Sequence, residues 1–201
     1  MTETQAPRVH ATNFDYRSSR DVEALTLFFK DYLLEEHERL RHFPSGIPLA
    51  SWLNTILLHV DDEPVGFCSA DLTRYAIELI YVAPEHRRLG IARWILTDLR
   101  DACPERMRIK APLSPACRKL AEQLAIPISS PTPDEEARGE RAIKDLHETI
   151  RQRCRHRRVG SDLRPCHRCY QALLRRAAVA MVTEPSVAMR NAARLLGGAV
   201  A

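Results

Sequence analysis

The chain has 201 residues, of which 45% are hydrophobic and 28% charged, a balance that excludes wholesale disorder and fits one compact domain with an appendage, or two small ones. Its formal net charge is +4, and no apolar run approaches the roughly 20 residues of a membrane helix. The opening residues Met1-Thr-Glu-Thr-Gln-Ala-Pro7 lack the basic flank and apolar stretch of a secretion signal, so a cytoplasmic protein with no membrane partner is expected.

Residues 1–17 show no periodicity and read as a strand-like lead-in or a loose terminus. Ser18-Ser-Arg-Asp21 matches a helix-capping box, and Val22, Leu25, Phe29 and Leu33 then recur at helical spacing up to Glu35, Glu36 and Glu38. Pro44 and Pro48 break the pattern. Residues 52–60 and 65–70 are dense in β-favouring side chains, and Asp61-Asp-Glu-Pro64 between them is turn chemistry, which predicts a hairpin. A third strand spans 75–82. Strict alternation places Glu78, Ile80 and Val82 on one face and Ile77, Leu79 and Tyr81 on the other. After a loop, Ile91, Trp94, Ile95, Leu99 and Ala102 form a helical stripe. A short strand at 107–110, a helix opened by Ser114 and Pro115 and running to about 124, and a last strand at 126–129 complete this unit. Ser129-Ser-Pro-Thr-Pro133 marks a boundary.

Beyond it the composition changes. Only Lys30, Lys110, Lys119 and Lys144 of the 30 basic residues are lysine, so positive charge is carried by guanidinium groups suited to phosphate or carboxylate. Between Arg138 and Arg176 there are 12 basic against 4 acidic residues, leaving 18 against 22 elsewhere. Residues 134–157 read as a polar helix, and 170–182 and 187–196 as two more. Cys68, Cys103 and Cys117 sit singly in apolar surroundings and read as core. Cys154, His156, Cys166 and Cys169 instead supply three thiolates and one imidazole, a tetrahedral donor set for a structural zinc, with His147 and His167 as substitutes. Free thiols on a basic helix are the alternative. The arginines from Arg151 to Arg168 form a one-signed cluster that suits nucleic acid or another polyanion, with an acidic protein as competitor. The terminal helix packs on the core or makes a homodimer.

The chemically informative stretch is strand, loop, helix at 75–102. Arg87-Arg88-Leu89-Gly90-Ile91-Ala92 fits Arg/Gln-x-x-Gly-x-Gly/Ala, opening a helix whose first amides are unpaired and point at an anion. Gly90 permits close backbone approach, although it could serve packing alone. With Ile80-Tyr-Val82 and Pro84-Glu-His-Arg87, this segment resembles the GNAT superfamily of acyl-CoA-dependent N-acyltransferases. The order of elements from about 18 to 129 agrees with that fold. The resemblance implies an α/β fold with a mixed, mostly antiparallel central sheet flanked by helices, to which the sequence adds a C-terminal helical, zinc-stapled segment. It further implies that the splayed end of strand 75–82, at Tyr81 and Val82, pairs with the pantetheine arm of acetyl-CoA. Backbone groups of Arg87, Arg88, Leu89, Gly90, Ile91 and Ala92 would hold its pyrophosphate, with the Arg87 and Arg88 side chains adding contacts.

For catalysis, Glu78 is the candidate base, directly or through water, although a solvated or salt-bridged strand residue would look the same. A backbone N–H near Tyr81 or Val82 is the candidate oxyanion donor. Family members often carry a tyrosine acid in the pattern Asn-x-x-Ala-x-x-x-Tyr. Here Ser114, Cys117 and Ala121 stand at those places, leaving Tyr81, His86 or solvent as substitutes. The expected organisation is an acyl-CoA-binding domain over 1–133 and a basic zinc-knuckle segment over 134–201. The expected function is transfer of an acetyl or related acyl group to an amine, for which the arginine cluster offers a nucleic-acid-associated acceptor; the alternative is a non-catalytic zinc-dependent adaptor for nucleic acid or protein.

Overall fold

The computed structural model describes residues 8–15, 17–40, 54–104, 106–134, 136–137 and 168. The expected zinc ligands, the arginine cluster apart from Arg168, the C-terminal helices and the Pro44 to Pro48 turn lie outside the described residues. The expected boundary at Ser129 to Pro133 is described, but nearly all of the segment beyond it is not.

The first described element is β1 (Val9–Asn13), followed by helix α1 (Ser19–Leu40). One half of the predicted capping box forms, the Asp21 amide donating to Ser18 Oγ at 3.3 Å; in place of the other half the Ser18 hydroxyl donates to the Asp21 carboxylate at 2.9 Å, while the Ser18 amide donates to the Asp15 carbonyl at 3.0 Å. Asp21 also accepts from the Asp15 amide at 3.1 Å, which fixes the entry of the chain into the helix. The buried face of α1 carries Leu25, Phe28 and Phe29.

Strands β2 (Asn54–Val60) and β3 (Glu63–Asp71) form the predicted hairpin. Its loop residues Asp61 and Asp62 both take positive φ, 49° and 68°, the mirror-image turn whose twist suits a two-residue hairpin. Strand β4 (Ala76–Val82) leads through a single 3-10 turn at Pro84–His86 to α2 (Ile91–Ala102), then β5 (Arg108–Lys110), α3 (Pro115–Gln123) and β6 (Ile128–Ser129). The six strands form one sheet in sequence order. β1 to β4 are antiparallel neighbours, whereas β4, β5 and β6 are parallel, joined by the crossover helices α2 and α3.

α1 packs on one side of the sheet through an aromatic cluster in which Phe29 meets Phe67 edge-on at 6.0 Å and Phe28 lies 6.4 Å from Tyr81. α2 and α3 contribute to the opposite core. Ile91 and Ile95 pack with Leu58, Val65 and Val82, and Leu96 and Ala121 pack with Cys68, Ile77 and Ile109. Cys68 is therefore a core residue, as its apolar surroundings suggest.

One expectation about β4 is overturned. Opposite β3, Leu79 pairs with Ser69 but the next partner, Ala70, faces Ile77, so Glu78 is the extra residue of a β-bulge. A bulge breaks two-residue alternation. Ile77 consequently packs with Leu96 in the cluster that Ile80 also joins, and not on the Leu79 and Tyr81 face. Gly66, opposite Val82, tolerates no side chain, because a Cβ there would lie 2.2 Å from the Tyr81 carbonyl oxygen. Close contact between β3 and the end of β4 thus depends on glycine.

Candidate active site

β4 and β5 pair only at Ala76 with Arg108 and Ile77 with Ile109. β5 then ends at Lys110, and the chain continues into Ala111-Pro112, whose proline nitrogen has no hydrogen to donate to a neighbouring strand. β4 runs on to Val82, bonded on one side only. The Ala83 amide donates to the Val65 carbonyl at 2.9 Å, and this sets the phase of the antiparallel ladder. Tyr81 bonds back to β3, while the backbone groups of Ile80 and Val82 point to the opened side.

The wedge opens into a cleft of about 950 Å³. Its walls are the last turns of α1 (Tyr32, Glu35, Glu36, Arg39), the end of β4 (Ile80, Tyr81, Val82), the start of α2 and the start of α3. At the mouth, Gly90 caps α2 with φ 80° and ψ 1°, and Arg88 also takes a positive φ of 67°. A left-handed residue followed at once by a right-handed helical one, as at Gly90 and Ile91, aims successive amides to a common side, the geometry of an anion-binding nest. The first helical bond runs from the Trp94 amide to the Gly90 carbonyl at 2.8 Å. The amides of Ile91, Ala92 and Arg93 therefore have no acceptor within the helix. A Cβ placed on Gly90 would meet nothing within 4 Å, so packing does not account for the glycine. Left-handed backbone facing open space does.

The site residues singled out from the sequence fall into three groups. Tyr81, Val82, Arg87, Arg88, Gly90, Ile91 and Ala92 converge on the cleft. Leu89 belongs to the same loop but its side chain points to solvent, 55% exposed. Glu78 does not line the cleft. It lies behind it, beside a cavity of about 50 Å³ that it shares with Tyr32, Glu36, Lys110 and Cys117. There its carboxylate, 4% exposed, makes a 2.8 Å ion pair with Lys110, as the salt-bridged alternative anticipated.

The Arg87 guanidinium does not stand free beside the loop. Nη2 donates to both Glu35 carboxylate oxygens at 2.8 Å, Nε donates to the Val82 carbonyl at 2.8 Å, and the group lies 5.4 Å from the centroid of the Tyr81 ring. The Tyr81 hydroxyl donates to the same Glu35 at 3.1 Å. Burial and then the Glu35 charge push the Tyr81 phenol above its ordinary value, so it stays protonated and remains a donor. At the other end of the cleft, Glu36 and Arg39 form a close ion pair, and Arg39 also donates to the Leu113 carbonyl at 3.3 Å. That contact ties α1 to the loop after β5. Cys117 lines the cleft with its thiol pushed up to about 11 by burial and the nearby Glu36, so it is not a thiolate at neutral pH.

The departure from the family's tyrosine pattern has a packing reason. Ser114 caps α3, its hydroxyl oxygen accepting from the Cys117 amide at 3.2 Å, while Ala121 is fully buried in the core where a phenol would not fit. The sequence reading missed Tyr32, Glu35, Glu36 and Arg39. Their spacing is helical and places them on one face, but this polar strip lies beside the apolar stripe that identified α1 and was read only as the helix end.

With this geometry in place, comparison with known proteins is direct. The description "Acetyltransferase (GNAT) family" matches residues 17–124, more than half of the chain. The protein belongs to the GNAT acetyltransferase family. It is accordingly an N-acetyltransferase, and acetyl-CoA is its cosubstrate. Among solved structures it is similar to aminoglycoside N-acetyltransferase AAC(6')-Iy in complex with CoA, at 16% identity over 65% of this chain and 95% of that one, with a TM-score of 0.42. It is also similar to ribosomal-protein-alanine N-acetyltransferase from Brucella melitensis biovar Abortus 2308, at 22% identity over 58% of this chain and 89% of that one, with a TM-score of 0.41. No curated protein matches the chain.

The buried pair behind the cleft makes a checkable demand. Lys110→Met strips the Glu78 carboxylate of its ammonium and should lower stability by about 3–5 kcal/mol in urea unfolding, whereas the double variant Glu78→Gln/Lys110→Met should recover most of the loss. Equal stability of the single variant and the unaltered chain would show that the pair does not hold the bulge.

Proposed function

We propose that the chain moves the acetyl group of acetyl-CoA onto a primary amine at the inner end of the wedge between β4 and β5. The observation that carries this reading is the coincidence, in one cleft, of an unpaired strand edge with a left-handed loop presenting unbonded helix amides. The amides of Ile91, Ala92 and Arg93 suit two linked phosphates, each amide donating to an oxygen and the helix dipole adding to their attraction. The edge of β4 at Ile80 and Val82 suits an extended chain of amides, which would pair with it as an added strand. Arg87 occupies the Val82 carbonyl in the described conformation, so in this reading it turns aside when that carbonyl takes a new partner.

The chemistry then asks little of the side chains. The Val82 or Ile80 amide, directed into the cleft, would stabilise charge developing on the thioester oxygen. Glu78 is assigned as base through a proton relay and not by contact, since its carboxylate is walled off from the cleft. The acceptor stays at the level of a primary amine. On the spacing of Cys154, His156, Cys166 and Cys169 and the one-signed arginine cluster, residues 134–201 are proposed to hold one structural zinc and to present a nucleic-acid-associated acceptor.

Two measurements test this. In calorimetry the unaltered chain should bind acetyl-CoA, and Gly90→Val, which places a β-branched residue at positive φ in front of the amides, should weaken binding about tenfold or more. Absence of binding by the unaltered chain contradicts the site. For the tail, elemental analysis should find about one zinc per chain, lost in Cys166→Ser/Cys169→Ser. A metal-free, folded protein contradicts that part alone.

A further inference from the structure

A GNAT acetyltransferase without a tyrosine on the helix after its fifth strand needs another group to meet the negative charge that forms on sulfur as the thioester breaks. We propose that Tyr32, from α1 on the opposite side of the wedge, donates a hydrogen bond to that sulfur. This inference rests on the cleft being the acetyl-CoA site.

Position is the first argument. The large cleft and the small cavity behind it share the residues Tyr32, Glu36, Ile80, Ser114 and Cys117, which therefore mark the closed end of the wedge, just beyond the last β4–β5 pair. If the pyrophosphate sits on the α2 amides at the mouth and the extended arm follows β4 inward past Val82 and Ile80, its sulfur end arrives there. The second argument is availability. Among the described residues, the Tyr32 hydroxyl makes no hydrogen bond. Nor is it one of the sealed, partnerless polar atoms among the described residues, which are His10 Nδ1 and His59 Nδ1, so it keeps access to the space that Tyr32 lines at the junction of the cleft and the cavity behind it. The hydroxyl of Tyr81, the other cleft phenol, is taken up by Glu35. Rigidity is the third argument. The Tyr32 ring is held edge-on against Phe67 and Tyr81, each at 6.3 Å, and stacked on Phe29 at 6.1 Å, so its position does not depend on a hydrogen bond.

The charged groups around it are Glu36 and Arg39 from its own helix and Glu78, with its partner Lys110, from the sheet; Cys117 faces it from α3. Burial and the Glu36 carboxylate both raise the phenol above its ordinary value, so it remains a donor throughout the working pH range. A phenol this weakly acidic stabilises sulfur by donating a hydrogen bond and keeps its own proton. In the step itself the amine nitrogen forms the C–N bond, the C–S bond breaks, and its electron pair leaves on sulfur. The proton shed by the amine leaves along the relay toward Glu78, and the sulfur takes up a proton from solvent, giving amide and CoA thiol.

The test needs no knowledge of the acceptor, because the product CoA carries the same sulfur. The thiol of bound CoA is titrated through its ultraviolet thiolate absorbance in the unaltered chain and in Tyr32→Phe, with CoA binding followed by calorimetry in both. Tyr32→Phe keeps the ring and its packing, so CoA affinity should stay within about twofold while the bound thiol titrates about one pH unit higher, the donor to the thiolate having been removed. Identical thiol titration in the two proteins would overturn the role of Tyr32 while leaving the acetyl-CoA site intact. Loss of CoA binding in the variant would assign Tyr32 to packing and overturn it too. Absence of CoA binding by the unaltered chain would overturn the site and this inference together.

Discussion

The parting of β4 from β5 after Ile77 and Ile109 is the constraint on which the rest of the structure depends. A parallel pair that continued to Val82 would satisfy every backbone group and leave nothing for a ligand. The pair stops for local reasons: β5 is only three residues long, a proline follows it closely, and Glu78 bulges out of β4 at the point of parting. The Glu78–Lys110 ion pair joins the two strands at that point, so the wedge has a fixed vertex. The cleft residues are arranged along its arms, with the start of α2 at the open end and Tyr32 and Cys117 near the closed one.

The walls also show how a charged cleft is kept ordered before any ligand arrives. Glu35 gathers Arg87 and Tyr81, and Glu36 gathers Arg39, so α1 is pinned to the end of β4 and to the loop before α3. Arg87 and Glu35 are roughly two-fifths exposed, so their bridge is screened by solvent and contributes orientation more than stability. The guanidinium nevertheless covers the Val82 carbonyl, which an incoming chain of amides would need. Binding therefore exchanges one partner for another at that oxygen, with little hydrogen bonding lost.

Much of this was legible in the sequence because it is local. Ser18 and Asp21 name the start of α1, Asp61 and Asp62 the hairpin turn, Gly90 the left-handed entry to α2, and Ser114 the cap of α3; each acts within a few residues of chain. The parts that were not legible depend on register or on contacts distant in sequence. Alternation along 75–82 gave the wrong side for Ile77 because a bulge arises from pairing with β3, and one strand alone carries no sign of its partner's register. Glu78 was singled out as the candidate base, but only the fold brings Lys110 to it across 32 positions. Tyr32, Glu35, Glu36 and Arg39 were not legible as a site because the strand edge and loop they face are supplied by residues 80–93 and 113–117. The missing motif tyrosine became intelligible only when Ala121 proved to be core.

The central claim is that main-chain amides, on the edge of β4 and at the start of α2, receive the acetyl donor. Amide-resolved NMR spectra of the full chain with and without acetyl-CoA test it most directly. The account predicts that the largest changes fall on Ile91, Ala92 and Arg93 together with Ile80 and Val82, while β1 and β2 remain unmoved. Saturable binding that leaves those five amides unperturbed would contradict it.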